Sequence, residues 1–177
     1  MTHGTLNSTA ALVTEYPWPK LAGLKVLDLA CGSGRNGFWF LAQGCEVTFI
    51  DQDLSAMASL KHDKAQLWQW NLEDGSAPPL PIEAFDIVLV FNYLHRPLFS
   101  QIAASIKPNG LIVYETFTWQ QAEIGHPRNP DFLLMEHELQ SVFANWQSLH
   151  YFEGRLSDPV SGAQSLKAQL IARKPSQ

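Results

Sequence analysis

The sequence has only two cysteines, Cys31 and Cys45, in 177 residues, and their spacing fits neither a metal site nor a redox pair. They read as reduced thiols beside packed strands, which excludes a disulfide-stapled secreted scaffold. Basic residues are also scarce: 12 Lys and Arg against 17 Asp and Glu leave a formal net charge of −5. Each contact to a nucleic-acid backbone normally needs a Lys or Arg, so this balance argues against nucleic acid and for a small-molecule substrate. Long apolar runs are missing. Stretches such as "IVLVF" at 87–91 fall far short of the roughly 20 residues a bilayer span needs, and no basic segment leads into an apolar one at the N-terminus. A cytoplasmic protein without a membrane partner is expected. Repeats and low-complexity tails are absent as well.

What is present is a composition 46% hydrophobic and 16% charged, enough to build the core of one domain. Residues 1–24, around "EYPWP", show no strong period and are expected to form an arm carrying one short helix, ahead of a single domain over 25–177. From there β-rich and helical runs alternate. Strands are expected at 25–30, 46–51, 66–70, 85–91 and 110–116, with helices at 35–43, 54–61 and 97–106. Such alternation is how a parallel sheet with crossover helices reads, so the expected class is α/β, doubly wound and Rossmann-like. Pro78, Pro79 and Pro81 leave little or no helix before the fourth strand. A loop at 117–134 is followed by a helix at 136–143, and then by "WQSLHYFEG" and "LKAQLIAR". Their short connection favours an antiparallel pair over another crossover.

The chemistry concentrates in "VLDLACGSGRNGFWF", 26–40, where a strand runs into Gly32, Gly34 and Gly37 and then into a helix. Glycines there allow positive φ and close approach of backbone to ligand, and the helix start turns unpaired N–H groups toward the same space. Both a dinucleotide and S-adenosylmethionine fit such a turn. Asp28 weighs against the dinucleotide, because a carboxylate at the end of the first strand repels phosphates and favours an ammonium group. Capping of the turn by Asp28 is the alternative, and the two roles are compatible. Asp51, ending the second strand 17 residues after Gly34, is placed to accept from ribose hydroxyls. In "WNLEDG", Asn71, Leu72 and Glu73 stand where an adenine edge can be read, or they form a plain turn.

"VLDLACGSGRNG", Asp51, "FDIVLVFNYLH" and "IKPNGLIVYETF" resemble, in order and spacing, the class I S-adenosylmethionine-dependent methyltransferases, and "CGSGRN" is most similar to their small tellurite-resistance-type branch. The resemblance implies a seven-stranded sheet in the order 3-2-1-4-5-7-6 with strand 7 antiparallel. It implies S-adenosylmethionine as cofactor, with roles for Asp28, Ala30, Gly32, Gly34, Asp51 and Gln52, with Asn71 and Leu72 near the adenine, and with Phe91 at the mouth of strand four. Arg35 and Asn36 are then in reach of the cofactor carboxylate, and Tyr16 and Trp18 are candidates to cover its methionine end.

The same resemblance brings the acceptor over the ends of strands four and five. "FNYLHRP" offers Tyr93, Arg96 and His95, the last as a general base because imidazole titrates near neutral pH, or as a helix-start histidine. Glu115 is expected either to contact substrate or to pair with Arg96 or Arg128. His126, Arg128 and Asn129, in the long loop, are candidates for an anionic or polar substrate or are structural. The signature of adenine-amino methylation, Asn or Asp before Pro-Pro and an aromatic, is replaced by "FNYLH". Two rivals remain: an NAD-dependent oxidoreductase of minimal size, and a non-catalytic cofactor-binding partner subunit.

Overall fold

The computed structural model describes residues 8–177. Its sheet has seven strands: β1 (Lys25–Leu29), β2 (Glu46–Asp51), β3 (Ala65–Gln69), β4 (Phe85–Phe91), β5 (Ile106–Phe117), β6 (Gln147–Ser157) and β7 (Gln164–Arg173). They lie in the order β3-β2-β1-β4-β5-β7-β6, with β7 antiparallel to both neighbours and all other pairs parallel. This is the α/β class expected from the sequence pattern and the strand order that the resemblance implies. Among the described residues five helices accompany it: α1 (Ala11–Glu15), α2 (Arg35–Ala42), α3 (Phe99–Ser105), α4 (Gln121–Ile124) and α5 (Glu138–Val142).

Alternate residues of each strand feed two cores. On one face Val26, Phe49, Leu89 and Val113 pack against Leu12 and Val13 of α1 and Phe40 of α2. On the other, Leu27, Ile50, Val88 and Ile112 pack against Ile102 of α3 and Leu139 of α5. Strands covered on both faces need apolar side chains at nearly every position, which is why β4 reads "FDIVLVF". Edge strand β3 lacks such cover because no helix forms between it and β4, and Leu67 stays 37% exposed.

Three expected elements differ. The helix at 54–61 is a single 3₁₀ turn, Ser55–Met57. Leu54 and Met57 are buried, and the polar run "KHDK" that follows supplies no second apolar turn to bury. The helix at 97–106 is a 3₁₀ turn, Arg96–Leu98, leading into α3, and Ile106 already enters β5 opposite Phe85. The loop at 117–134 is folded: it holds α4 and a 3₁₀ turn, Pro130–Phe132, and is closed by a bridge between Thr118 and Leu134. The Gln121 side chain pins it, accepting from the Leu166 N–H at 2.7 Å and donating to the His126 carbonyl at 3.0 Å.

The chain leaves β1 toward one edge of the sheet and β4 toward the other, so a crevice opens between their carboxyl ends. Ala30 and Asn92, the residues that follow β1 and β4, both take left-handed backbone with φ of 53° and 54°. Non-glycine residues held there store strain that a surrounding structure must impose, and such residues gather at ligand sites.

Candidate active site

Asp28 points from β1 toward α2, is 3% exposed, and accepts the Gly37 N–H at 2.9 Å. Gly37 has to be glycine for this approach, since a Cβ there would lie 2.7 Å from the Asp28 carboxylate and 2.4 Å from the Phe49 ring. Burial pushes the Asp28 carboxyl up to about 7, opposed by the Gly37 hydrogen bond and the Arg35 charge. The turn above it is open. A Cβ on Gly32, at φ 56°, would meet nothing within 4 Å. Gly34 caps the start of α2 at φ 81°, and a Cβ there would lie 2.8 Å from Met57 Sδ and 3.1 Å from the Phe49 ring. Asp28, Ala30, Gly32, Arg35, Asn36, Phe91 and Asn92 line a cavity of about 230 Å³ over this turn.

A second cavity of about 220 Å³ adjoins it, lined by Ala30, Asp51, Gln52, Leu72, Glu73, Asn92 and Tyr93. Asp51 accepts the Gly32 N–H at 2.8 Å through one carboxylate oxygen and the Asp53 N–H at 3.1 Å through the other. Each oxygen keeps a lone pair for a ligand hydroxyl. Tyr93, expected on the acceptor side, lines this compartment instead, and its buried hydroxyl has no hydrogen-bond partner among the described residues. Burial first, then the Glu73 and Asp51 charges, raise its pKa, so the phenol stays a donor. Asn71 does not line the cavity; its side chain accepts the Glu73 N–H at 2.9 Å and shapes the turn.

The third cavity, about 240 Å³, lies over the ends of β5 and β7 and includes Ser8, Thr9, Arg35, Asn92, Glu115, Asp158, Lys167 and Gln169. Here Glu115 has partners other than those expected. It accepts from Gln169 Nε2 at 2.7 Å and sits 3.6 Å from Lys167 Nζ. Gln169 also meets His150 at 2.9 Å, and Lys167 donates to Asn92 Oδ1 at 2.7 Å. A polar chain thus crosses from β6 through β7 and β5 to the end of β4. Burial pulls the Lys167 pKa down, and Glu115 opposes that shift.

Several expected positions fall elsewhere. Arg96 makes a two-pronged ion pair with Glu138, at 2.7 and 2.8 Å, and donates to the Leu133 carbonyl at 2.9 Å. It clamps the end of the folded loop onto α5 rather than facing an acceptor. His95 lies 3.5 Å from Glu73 and lines none of the three cavities. His126 and Arg128 are exposed outside them, and Asn129 caps the 3₁₀ turn by accepting the Asp131 N–H. These three follow a loop pinned away from the crevice by Gln121. Tyr16 packs on Trp18, Trp18 packs on Phe40, and both border Trp39 and Gln43 at the far end of α2, so they do not cover the glycine turn. The arm reaches the site through earlier residues: Arg35 donates to the Ser8 carbonyl at 2.7 Å, and Asn36 Oδ1 accepts the Ala10 N–H at 2.9 Å. That bond commits Asn36 to the arm.

Lys167, Asn92 and Gln169 line these cavities without having been singled out in the sequence. A lysine in a β-rich run reads as a solvated position, and only the pairing of Phe117 with Lys167 carries it beneath Asn92. Burial, then the Asp28 and Asp51 charges, push the Cys31 thiol pKa up and disfavour its thiolate. Among the described residues no helix is long and apolar enough to cross a membrane, and no group of three or more His, Cys, Asp or Glu is placed to hold a metal.

A family model described as a methyltransferase domain matches residues 27–112, just under half of the chain. A probable S-adenosyl-L-methionine-dependent methyltransferase, TehB of Haemophilus influenzae, is 29% identical across 97% of this chain and 62% of its own length. The chain thus spans about three fifths of that relative. Among solved structures, an S-adenosylmethionine-dependent methyltransferase from Mesorhizobium loti superposes with a TM-score of 0.70 at 17% identity, covering 89% of this chain and 94% of that one. A putative S-adenosylmethionine-dependent methyltransferase from Listeria monocytogenes gives 0.68 at 15%, covering 89% and 93%. These two likenesses concern the fold. The domain match and the TehB similarity bear out the resemblance drawn from "CGSGRN" and its neighbours.

Proposed function

We propose that this chain, which matches a methyltransferase-domain model over residues 27–112 and has the seven-stranded order of the class I S-adenosylmethionine-dependent fold, is an enzyme that binds S-adenosylmethionine across the crevice and methylates a small-molecule acceptor in the cytoplasm. The observation that carries the reading is Asp28: a buried carboxylate beneath an open glycine turn, suited to an ammonium group and unsuited to a pyrophosphate. An ammonium above Asp28 lowers its pKa and restores the charge that burial disfavours. Asp51 holds the ribose hydroxyls, and Gln52, Leu72, Glu73 and the unpaired hydroxyl of Tyr93 line the space for the adenosine. Arg35, whose guanidinium lies 6.0 Å from the Phe91 ring centroid, faces the cofactor carboxylate.

When bound, S-adenosylmethionine supplies a methyl group activated by its sulfonium charge. The chain's own task is positional: to hold an acceptor atom roughly 3–3.5 Å from that carbon and to keep water out. The third cavity, which shares Arg35 and Asn92 with the first, is the acceptor compartment in this reading. Titration calorimetry with S-adenosylhomocysteine and with NADH tests it. Binding of the first alone is expected; binding of NADH alone would make the chain a nicotinamide-dependent oxidoreductase instead.

A further inference from the structure

Asn92 is, among the described residues, the one that lines all three cavities. Its backbone is fixed twice: the left-handed φ of 54° turns it out of β4, and its N–H donates to the Glu115 carbonyl at 2.8 Å. Its side chain is fixed by Lys167, whose Nζ lies 2.7 Å away. An ammonium can only donate, so the amide atom facing it has to be oxygen. The amide therefore turns its NH2 group the other way, and Nδ2 has no partner among the described residues.

Lys167 is itself held in place. Its side chain is 12% exposed, it sits 3.6 Å from Glu115, and it lies 4.7 Å from the centre of the Phe117 ring. Glu115, 7% exposed, is committed to Gln169 and Lys167, so its charge is neutralised within the wall rather than offered to the cavity. Arg35, on the opposite side, adds more N–H groups. The nearer surface of the acceptor compartment thus carries the N–H groups of Arg35, Lys167 and Asn92, and a protonated amine approaching the Asn92 side-chain oxygen would meet the Lys167 cation already beside it. Asp158, the other acidic side chain on the lining, accepts the Val160 and Ser161 N–H groups.

We propose that Lys167 is a positioning residue that sets the polarity of the Asn92 amide, and that this amide admits acceptors through a carboxylate oxygen while disfavouring protonated amines. The proposal rests on the methyltransferase reading above. A carboxylate suits a sulfonium donor because no base is needed. An oxygen lone pair forms the new O–C bond as the C–S bond breaks with its electrons returning to sulfur, and the product is a neutral ester. Asn92 donates to that carboxylate and touches substrate, whereas Lys167 acts through Asn92.

The test is side-chain amide NMR on the full chain saturated with S-adenosylhomocysteine, titrated in turn with benzoate and with benzylamine. Benzoate is expected to shift the Asn92 NH2 resonances and benzylamine to leave them in place. Lys167→Met frees the amide to rotate and is expected to weaken benzoate at least tenfold, and Lys167→Arg, which still donates to Oδ1, to restore most of that loss. Should Lys167→Met fail to fold with Glu115 unpaired, Asn92→Asp keeps the pairing with Lys167 and removes the donor, and the same loss of benzoate is expected. Shifts with benzylamine and none with benzoate, or benzoate binding unchanged in folded Lys167→Met and in Asn92→Asp, would overturn the proposal. If S-adenosylhomocysteine itself does not bind, the methyltransferase reading falls first and takes this proposal with it.

Discussion

The Asp28 carboxylate and the Gly37 N–H meet at 2.9 Å, and the same oxygen would lie 2.7 Å from a Cβ on Gly37. Strand β1 and helix α2 approach this closely only because residue 37 has no side chain. Gly37→Ala therefore forces the helix away from β1 and the Phe49 ring, and is expected to destabilise the fold by about 1–3 kcal/mol, the range for overpacking a core. Urea unfolding checks it, and an unchanged midpoint would mean that the contact is slack.

Burial raises the Asp28 carboxyl from 3.8 to about 7. The sign follows from proton linkage: between these values the folded state holds a proton that the unfolded chain has lost, so this group's contribution to stability falls as pH rises from about 4 to about 7. Asp28→Asn keeps the oxygen that accepts from Gly37 and removes the charge. At pH 8 the ligand-free variant is expected to be more stable than the native chain by on the order of 1–3 kcal/mol, with the gain vanishing near pH 4. Thermal melts across that window measure it. A variant less stable at pH 8 than at pH 4, relative to the native chain, would contradict the assignment.

Asp51→Ala removes both oxygens from the end of β2 and leaves the Gly32 N–H without its acceptor. Affinity for S-adenosylhomocysteine is expected to fall by about 1–3 kcal/mol, the scale for losing hydrogen bonds to a charged group. Equilibrium binding with the folded variant is the measurement.

His95 sits beside Glu73 and outside the three cavities, so a role as base has to be earned in solution. His95→Ala is expected to change turnover less than tenfold and to leave the pH profile in place. A loss of a hundredfold with a missing acidic limb would restore it as the base.

The crevice was legible in the sequence because its parts are local. Strand, glycine turn and helix follow one another within 26–40, and Asp51 ends the next strand by the same alternation. The acceptor side was not, because its geometry depends on register. Lys167 and Asn92 are 75 residues apart and meet through the pairing of β5 with β7. Arg96 misled for a related reason: its sequence neighbours lie at the crevice, but its long side chain turns to Glu138, 42 residues on. The folding of the loop at 117–134 is not legible locally because its closing contacts join Gln121 to Leu166, 45 residues on, and Thr118 to Leu134 across the whole loop.

The most direct measurement is calorimetry on the native chain and on Asp28→Asn with two ligands, S-adenosylhomocysteine and methylthioadenosine, which share the nucleoside while only the first carries an amino-acid head. Asp28→Asn is expected to weaken S-adenosylhomocysteine at least tenfold and to leave methylthioadenosine within threefold. Equal losses for both ligands, or none for either, would show that no ammonium group rests on Asp28.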